Sequence, residues 1–178
     1  MATTKWKADP AHTELQFKVR HLMITNITGY FKRFDIEVET EDDNITRPGK
    51  ILVTADIDSI DTKNEQRDTH LKSADFFASE ENKQLRFVGN KVEKEADDDY
   101  KLYGDLTIRS VTKPVVLDVE YAGIVQDPYG QTKAGFTVKG KINRKDYGLM
   151  WSAITEAGQV VASDEVRITC EVQLIKQV

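Results

Sequence analysis

Hydrophobic and polar residues alternate along most of this chain, which is the pattern of β-strands with one buried face. In the first such segment, Leu15, Phe17 and Val19 fall on one side of the strand, and polar or charged residues fall on the other. Similar segments follow, separated by turn signals, at 30–39, 50–60, 84–88, 91–95, 100–108, 115–121, 133–143 and 165–175. The pattern predicts an all-β fold of eight or nine antiparallel strands, arranged as a closed barrel or a sandwich.

One stretch, 61–77, does not alternate and interrupts the strands. Thr62 followed three residues later by Glu65 fits a capping box, which predicts that a short helix starts at about Asn64. Its hydrophobic residues come only near its end, so it needs an apolar surface that the strands provide. We therefore expect a short helical insert near residues 64–78, lying across one end of the sheet as a crossover or lid.

Small residues stand at three positions where a solid core would favour larger ones. Ala55, Gly104 and Gly140 are in phase with the inward faces of their strands, which favours a barrel with an open lumen. The alternative is that these residues mark bends or points of tight packing. Strands of about ten residues, at about 3.3 Å per residue, predict an elongated barrel about 30 Å tall.

The length and charge of the chain limit the classes of protein to which it can belong. The 178 residues, 39% of them hydrophobic, suit a single domain that spans 1–178. The 25 Lys and Arg residues against 30 Asp and Glu residues give a net charge of −5. Because no basic stripe is available to neutralise phosphates, nucleic acid is not an expected partner. The single Cys170 has no partner for an internal disulfide and lies on the apolar face of a strand, as a small buried hydrophobic residue does.

The sequence has no apolar window of the length that crosses a membrane, and no signal peptide at its start. We therefore expect a protein that is not embedded in a membrane. Its expected location is cytoplasmic as the chain is given, or periplasmic if a signal has been removed, because Met1 and Ala2 do not establish a native start.

Seven blocks of the sequence follow one another along the chain: Trp6–Thr13, Phe17–Leu22, Gly29–Asp35, Ile60–Phe77, Gly104–Leu117, Gly135–Leu149 and Val161–Ile168. Together they resemble the YceI-like family, the lipocalin-like, polyisoprenoid-binding proteins of bacteria. Ser110, where the family more often has Gly, and Lys83, where it often has Pro, are departures at turns. The resemblance implies an elongated antiparallel lipocalin-like β-barrel and, because members of the family are often dimeric, a second copy of the chain as a candidate partner.

The resemblance also implies a ligand, a polyisoprenoid such as an isoprenoid quinone or a fatty-acid-like lipid, held in an apolar lumen for transport, storage or sequestration. No catalysis and no cofactor are expected, only the bound lipid. The alternative for each residue on the inward face is that it only packs in the hydrophobic core. The candidate lumen residues are Phe17, Val19, Phe34, Ile36, Ile57, Phe87, Leu102, Leu106, Phe136, Val138 and Trp151.

Polar residues near the barrel ends are candidates for contact with a lipid head group, since an Arg or His can pair with a phosphate or carboxylate. They are His12, His21, Arg67, His70 and Arg144. The alternative for such polar residues, Asp9 and Asp68 included, is hydrogen bonding that fixes the insert onto the barrel. The three histidines match no common metal motif in their spacing.

Two other functions stay open at the level of the sequence. One is a small enzyme that acts on a hydrophobic substrate with a His/Asp/Arg cluster at the barrel mouth, and the other is a ligand-free, stress-related scaffold. The segment 143–148 gathers Arg, Asp and Tyr, but a turn stabilised by an Asn or Asp side chain, with Gly148 at positive φ, explains it more simply.

Overall fold

The structure, a computed structural model, describes residues 3–22, 24–74, 76–149 and 162–177. Within these residues it contains one α-helix, α1 (Glu65–Lys72), and two 3₁₀ turns, at Ile57–Ser59 and Arg144–Tyr147. The strands are β1 (Thr4–Ala8), β2 (Glu14–His21), β3 (Thr25–Phe31), β4 (Phe34–Thr40), β5 (Pro48–Asp56), β6 (Ile60–Asp61), β7 (Gln84–Ala96), β8 (Asp99–Ile108), β9 (Val111–Gln126), β10 (Thr132–Asn143) and β11 (Ala162–Lys176).

The strands close into one antiparallel barrel. β11 pairs with β10 along one edge, and along its other edge with β2 near one end and β1 near the other. β1 and β2 therefore act as one interrupted strand, and so do β3 with β4 and β5 with β6, each pair facing the next in register. Counted in this way the ring has eight strands, which confirms the predicted barrel and excludes a sandwich.

The interruptions explain where the predicted strand boundaries were wrong. The segment 30–39 is not one strand, because Lys32 and Arg33 separate β3 from β4 and shift the inward phase from odd to even positions. The segments 84–88 and 91–95 are one strand, β7, whose register shifts between Gly89 and Lys91. A bulge of this kind breaks the alternation without ending the strand, so a period-two pattern places a false boundary there.

The helical insert begins where β6 leaves the barrel wall. The side chain of Asp61 accepts a hydrogen bond from the Lys63 backbone N–H at 2.8 Å, and Lys63 adopts a φ of 63°. This left-handed turn directs the chain away from the sheet. Asn64 then caps α1, because its side chain accepts a hydrogen bond from the Arg67 N–H at 3.0 Å.

The capping box predicted from Thr62 and Glu65 was wrong. The backbone N–H of Thr62 donates to the Asp68 carboxylate at 2.9 Å, and the Thr62 hydroxyl donates to the same oxygen. Asp68 thus ties α1 to the end of β6, which is the fixing role that the sequence left open for it. Asn64, two residues nearer to the helix, was the better N-cap because asparagine side chains accept from the N2 or N3 amide.

A cluster of charges fixes the loop between β1 and β2 to the outside of the barrel. Lys133 Nζ lies 3.1 Å from Asp9 Oδ2 and 3.3 Å from Asp127 Oδ2, and all three side chains are largely shielded from solvent. His12 donates from Nδ1 to the same Asp9 oxygen at 2.8 Å. The hydrogen bonds from His12 and Lys133 hold the Asp9 pKa below its usual value, and Asp9 in turn raises the pKa of Lys133.

Replacing Lys133 with methionine is expected to destabilise the fold at neutral pH, because Asp9 and Asp127 then lose the cation that they share. A carboxyl group whose pKa is lowered in the folded protein stabilises the fold at pH values above its ordinary pKa of 3.8. This stabilisation is lost as the pH falls through the pKa of the folded state. The difference between Lys133→Met and the natural protein should therefore shrink below pH 3.8. Urea unfolding across this pH range measures it.

The exposed Lys139, on the same strand as Lys133, offers the matched control. Lys139→Met removes the same charge from a solvated position, so its effect should stay near zero at every pH. Equal losses in the two variants would show that Lys133 acts only through the net charge of the protein.

Candidate functional site

An apolar cavity of about 670 Å³ occupies the inside of the barrel. It reaches from His21 and Ala162, at the end that carries α1, to Thr46 and Pro48 at the opposite end. Between these ends the wall consists mainly of Val, Ile, Leu and Phe side chains from the inward faces of the strands. The volume falls within the range of about 300–1,000 Å³ that ligand pockets usually have.

Most of the lumen residues chosen from the sequence line this cavity. Phe34 and Ile57 do not: Ile57 lies in the 3₁₀ turn between β5 and β6, 1% exposed, and Phe34 packs between the two hydrophobic clusters at the start of β4. Trp151 lies outside the described residues. Those placed in the lining are Phe17, Val19, Ile36, Phe87, Leu102, Leu106, Phe136 and Val138.

The sequence reasoning missed several lining residues. Ile27 and Phe31 belong to β3, whose inward phase is opposite to that of β4, so a single strand over 30–39 points Phe31 outward. Phe76 and Phe77 follow α1 and close the lumen from the helix end. Ile27 and Phe31 would have been assigned to the lumen if the inward-facing positions had been counted separately on each side of Lys32 and Arg33.

Glycines in the wall allow large inward side chains to lie flat. A Cβ added to Gly29 would come within 2.2 Å of Phe17 Cζ, and one added to Gly104 within 2.4 Å of Phe87 Cζ. Gly140 meets Leu117 in the same way. The rings thus lie against the backbone of the neighbouring strand rather than across the lumen. Gly104 and Gly140 are tight packing points, the alternative that the sequence left open, and this packing keeps space free along the barrel axis.

Cationic and imidazole side chains gather at the helix end of the cavity. His21, Arg67, His70 and Arg144 all contribute to its lining. Arg67 donates from Nε to the Thr62 hydroxyl at 2.8 Å and from Nη2 to the Thr62 carbonyl at 2.6 Å. The ring of His70 packs edge-on against Phe76 at 5.2 Å between centroids. The fifth candidate, His12, does not reach the cavity, because it lies exposed on the outside of the barrel, bound to Asp9.

Arg144 is buried and also holds the barrel end together. It donates from Nε to the Ser163 carbonyl at 3.0 Å and from Nη1 to the Leu149 carbonyl at 2.6 Å. Burial lowers its pKa, while Asp164, 3.6 Å from Nη2, acts in the opposite direction. The predicted turn at 143–148 is confirmed, with Asn143 capping it and Gly148 at a φ of 80°.

Chemically reactive groups inside the lumen are few in the described part of the chain. Cys170 lines the cavity, and burial raises the pKa of its thiol to about 11, so the thiol stays protonated at neutral pH. Among the described residues no three His, Cys, Asp or Glu side chains are placed to hold a metal ion. No helix in those residues is long and apolar enough to cross a membrane.

An eight-stranded antiparallel barrel around an apolar lumen, with a helix at one end, defines a lipocalin-like protein. The sequence matches the YceI-like domain family over residues 6–174. The chain therefore belongs to the YceI-like family. It is 38% identical over 167 residues to a UPF0312 protein of Staphylococcus epidermidis, covering 92% of this chain and 93% of the relative.

Solved structures agree with the fold. The YCEI protein of Campylobacter jejuni superposes with a TM-score of 0.76 at 34% identity, covering 89% of this chain and 90% of that one. A polyisoprenoid binding domain from Saccharophagus degradans, implicated in plant cell wall breakdown, superposes with a TM-score of 0.67 at 15% identity, covering 97% of this chain and 98% of that one. At that identity the second likeness concerns the fold alone.

Proposed function

We propose that this protein binds a long-chain amphiphile, a polyisoprenoid or a fatty-acid-like lipid, with its hydrocarbon chain in the barrel lumen. The observation that carries the proposal is the apolar cavity of about 670 Å³. The fold shared with the polyisoprenoid binding domain of Saccharophagus degradans supports the choice of ligand class.

Burial of the hydrocarbon supplies enough free energy for this function. Each methylene moved from water into an apolar site contributes about 0.8 kcal/mol, so ten to fifteen of them contribute roughly 8–12 kcal/mol. Association and the ordering of a flexible chain cost several kcal/mol. The remainder, together with contacts to a head group, is compatible with roughly micromolar binding.

The ends of the lumen differ, and this difference gives the ligand a direction. Arg67, His70, Arg144 and His21 line the helix end, whereas the lining residues Ile45, Thr46 and Pro48 at the other end carry no charge. An anionic head group is stabilised by the forked donors of arginine. The head group therefore belongs at the helix end, with the chain pointing away from α1.

Binding of this kind requires no catalytic group, and the role we propose is transport, storage or sequestration. An enzyme with a cluster of His, Asp and Arg at the mouth is the alternative. The contacts of Asp68 and Arg67 with Thr62 favour binding instead, because they give both side chains a structural role in holding α1 onto the barrel.

Native mass spectrometry of freshly purified protein tests the proposal. We expect one amphiphile per chain, lost on extraction with organic solvent and regained when a long-chain fatty acid is added, because the lumen offers one continuous apolar site. A short-chain acid of the same charge is the control and should not bind, since it buries too few methylenes. Protein that carries no lipid and takes up neither acid would contradict the function.

A further inference from the structure

We propose that the amphiphile enters sideways, between β3 and α1, and that its anionic head group, a carboxylate or a phosphate, rests outside the barrel in a polar groove beside Arg67 and Lys63. This inference rests on the function proposed above and adds the head-group site and the route of entry.

The barrel wall has a gap in its strand pairing at the helix end. β6 pairs with β3 only at Tyr30 with Asp61 and at Phe31 with Ile60. In the described chain, the part of β3 from 25 to 29 pairs with β2 on one side and has no strand on the other. The chain that would have continued β6 leaves the sheet at Lys63 and forms α1 instead.

The helix α1, which covers this gap, buries little of its own surface. None of its eight residues is buried, although Leu71 packs against the hydrophobic core and His70 against Phe76. On the side that faces β6, Thr62 binds both Asp68 and Arg67. Elements with little buried apolar surface open at low free-energy cost compared with core strands. The β3–α1 seam is thus a place where the wall can part without breaking the hydrogen bonds between strands.

A polar groove of about 460 Å³ lies on the outside of this seam. It adjoins the lumen, since Gln16, Ile27, Thr62 and Arg67 line both spaces. The rest of its lining is polar and comes from the outward faces of β3 and from the start of the insert: Asn26, Thr28, Tyr30 and Lys63.

Arg67 stands where the two environments meet. Its Nε and Nη2 are bonded to Thr62, which fixes the guanidinium plane at the boundary between the apolar lumen and the polar groove. Lys63 adds a second positive charge on the groove side. An amphiphile needs this arrangement of an apolar space for the chain, a polar space for the head, and cations at the junction if the head is anionic.

Two fluorescent probes test the head-group site: cis-parinaric acid, which is anionic, and its methyl ester, which is neutral. Arg67→Ala should weaken binding of the acid about tenfold and leave binding of the ester within about twofold, as expected for the loss of one charge-assisted contact. Lys63→Asn should act in the same direction without touching the Thr62 contacts. Asparagine also tolerates the positive φ at this position.

Arg47→Ala is the charge-matched control, because Arg47 is exposed at the opposite end of the barrel. It should leave binding of both probes unchanged. An equal loss of acid binding in Arg47→Ala and Arg67→Ala, or an equal loss of acid and ester in Arg67→Ala and Lys63→Asn, overturns the groove as the head-group site.

Stopped-flow mixing with the same probes tests the route. Asn26→Trp places a bulky side chain on the groove wall, so it should slow both association and dissociation of each probe about fivefold or more. Val116→Trp, at an exposed position on the outer wall of β9, should change neither rate. Unchanged rates in Asn26→Trp rule out sideways entry, whereas failure of the natural protein to bind either probe refutes the lumen function itself.

Discussion

Val138→Trp is expected to lower the affinity for cis-parinaric acid about a hundredfold. Val138 lies midway along β10, in register with Cys170 and Val119, and all three line the lumen. An indole ring at this position would occupy space that the alkyl chain needs. Each displaced methylene costs about 0.8 kcal/mol, so three or four of them account for the loss. Fluorescence titration of protein freed of bound lipid measures the affinity.

The same substitution on the outside of the wall provides the control. Val116 is 50% exposed on the outer face of β9, so Val116→Trp should leave the affinity unchanged. Thermal unfolding of both variants should show that they remain folded, because a tryptophan that fits into the lumen should cost little stability. If Val138→Trp distorts the barrel, Val138→Phe provides the same test with a smaller ring. Unaltered affinity in folded variants would mean that the chain of the ligand lies elsewhere.

The barrel could be predicted because its inward and outward faces alternate over long stretches. The strands β10 and β11 pair without a break over eleven residues, and Val138 on β10 points inward as period two requires. Leu106 on β8 does the same. The prediction was wrong where the strand is interrupted. Between Phe31 and Phe34 two residues leave the ladder and the inward phase changes, a local event that alternation alone does not reveal.

The site was harder to predict than the fold, because it depends on contacts between distant segments. Three of the four polar residues at the helix end of the cavity come from separate parts of the chain: His21 ends β2, His70 lies in α1, and Arg144 opens a 3₁₀ turn after β10. These positions could be selected from the sequence because they fall near the predicted ends of the barrel, where an Arg or His can pair with an anionic head group. His12 binds Asp9 on the outside of the barrel and does not reach the lumen. The sequence around His12 does not indicate on which side of the barrel wall its side chain lies.

The small residues in the wall had two interpretations from sequence, an open lumen or tight packing, and the structure combines them. Gly29 and Gly104 give room for the rings of Phe17 and Phe87 to lie against the wall. Close packing within the wall is therefore what leaves the axis open. A barrel with larger residues at these positions would have to turn the rings inward, where they would fill the space that an alkyl chain needs.

Gly104→Ala is expected to destabilise the protein by roughly 2–3 kcal/mol, more than is usual for a single methyl group. The added Cβ would lie 2.4 Å from Phe87 Cζ and 2.5 Å from the Val88 carbonyl oxygen. The ring can rotate away, but the carbonyl belongs to the β7 backbone and cannot move without disturbing the pairing of β7 with β8. Urea unfolding should show the loss as a lower midpoint with an unchanged slope.

Gly140→Ala separates this backbone clash from the effect of a methyl group alone. Its Cβ would approach only the end of the Leu117 side chain, at 2.4 Å, with the nearest backbone atom 3.8 Å away. A leucine can change rotamer toward the open lumen, and alanine is about 0.5–1 kcal/mol better than glycine in a strand, so the net change should be small. Equal destabilisation by the two variants would mean that side-chain crowding, rather than the Val88 carbonyl, decides the cost at Gly104.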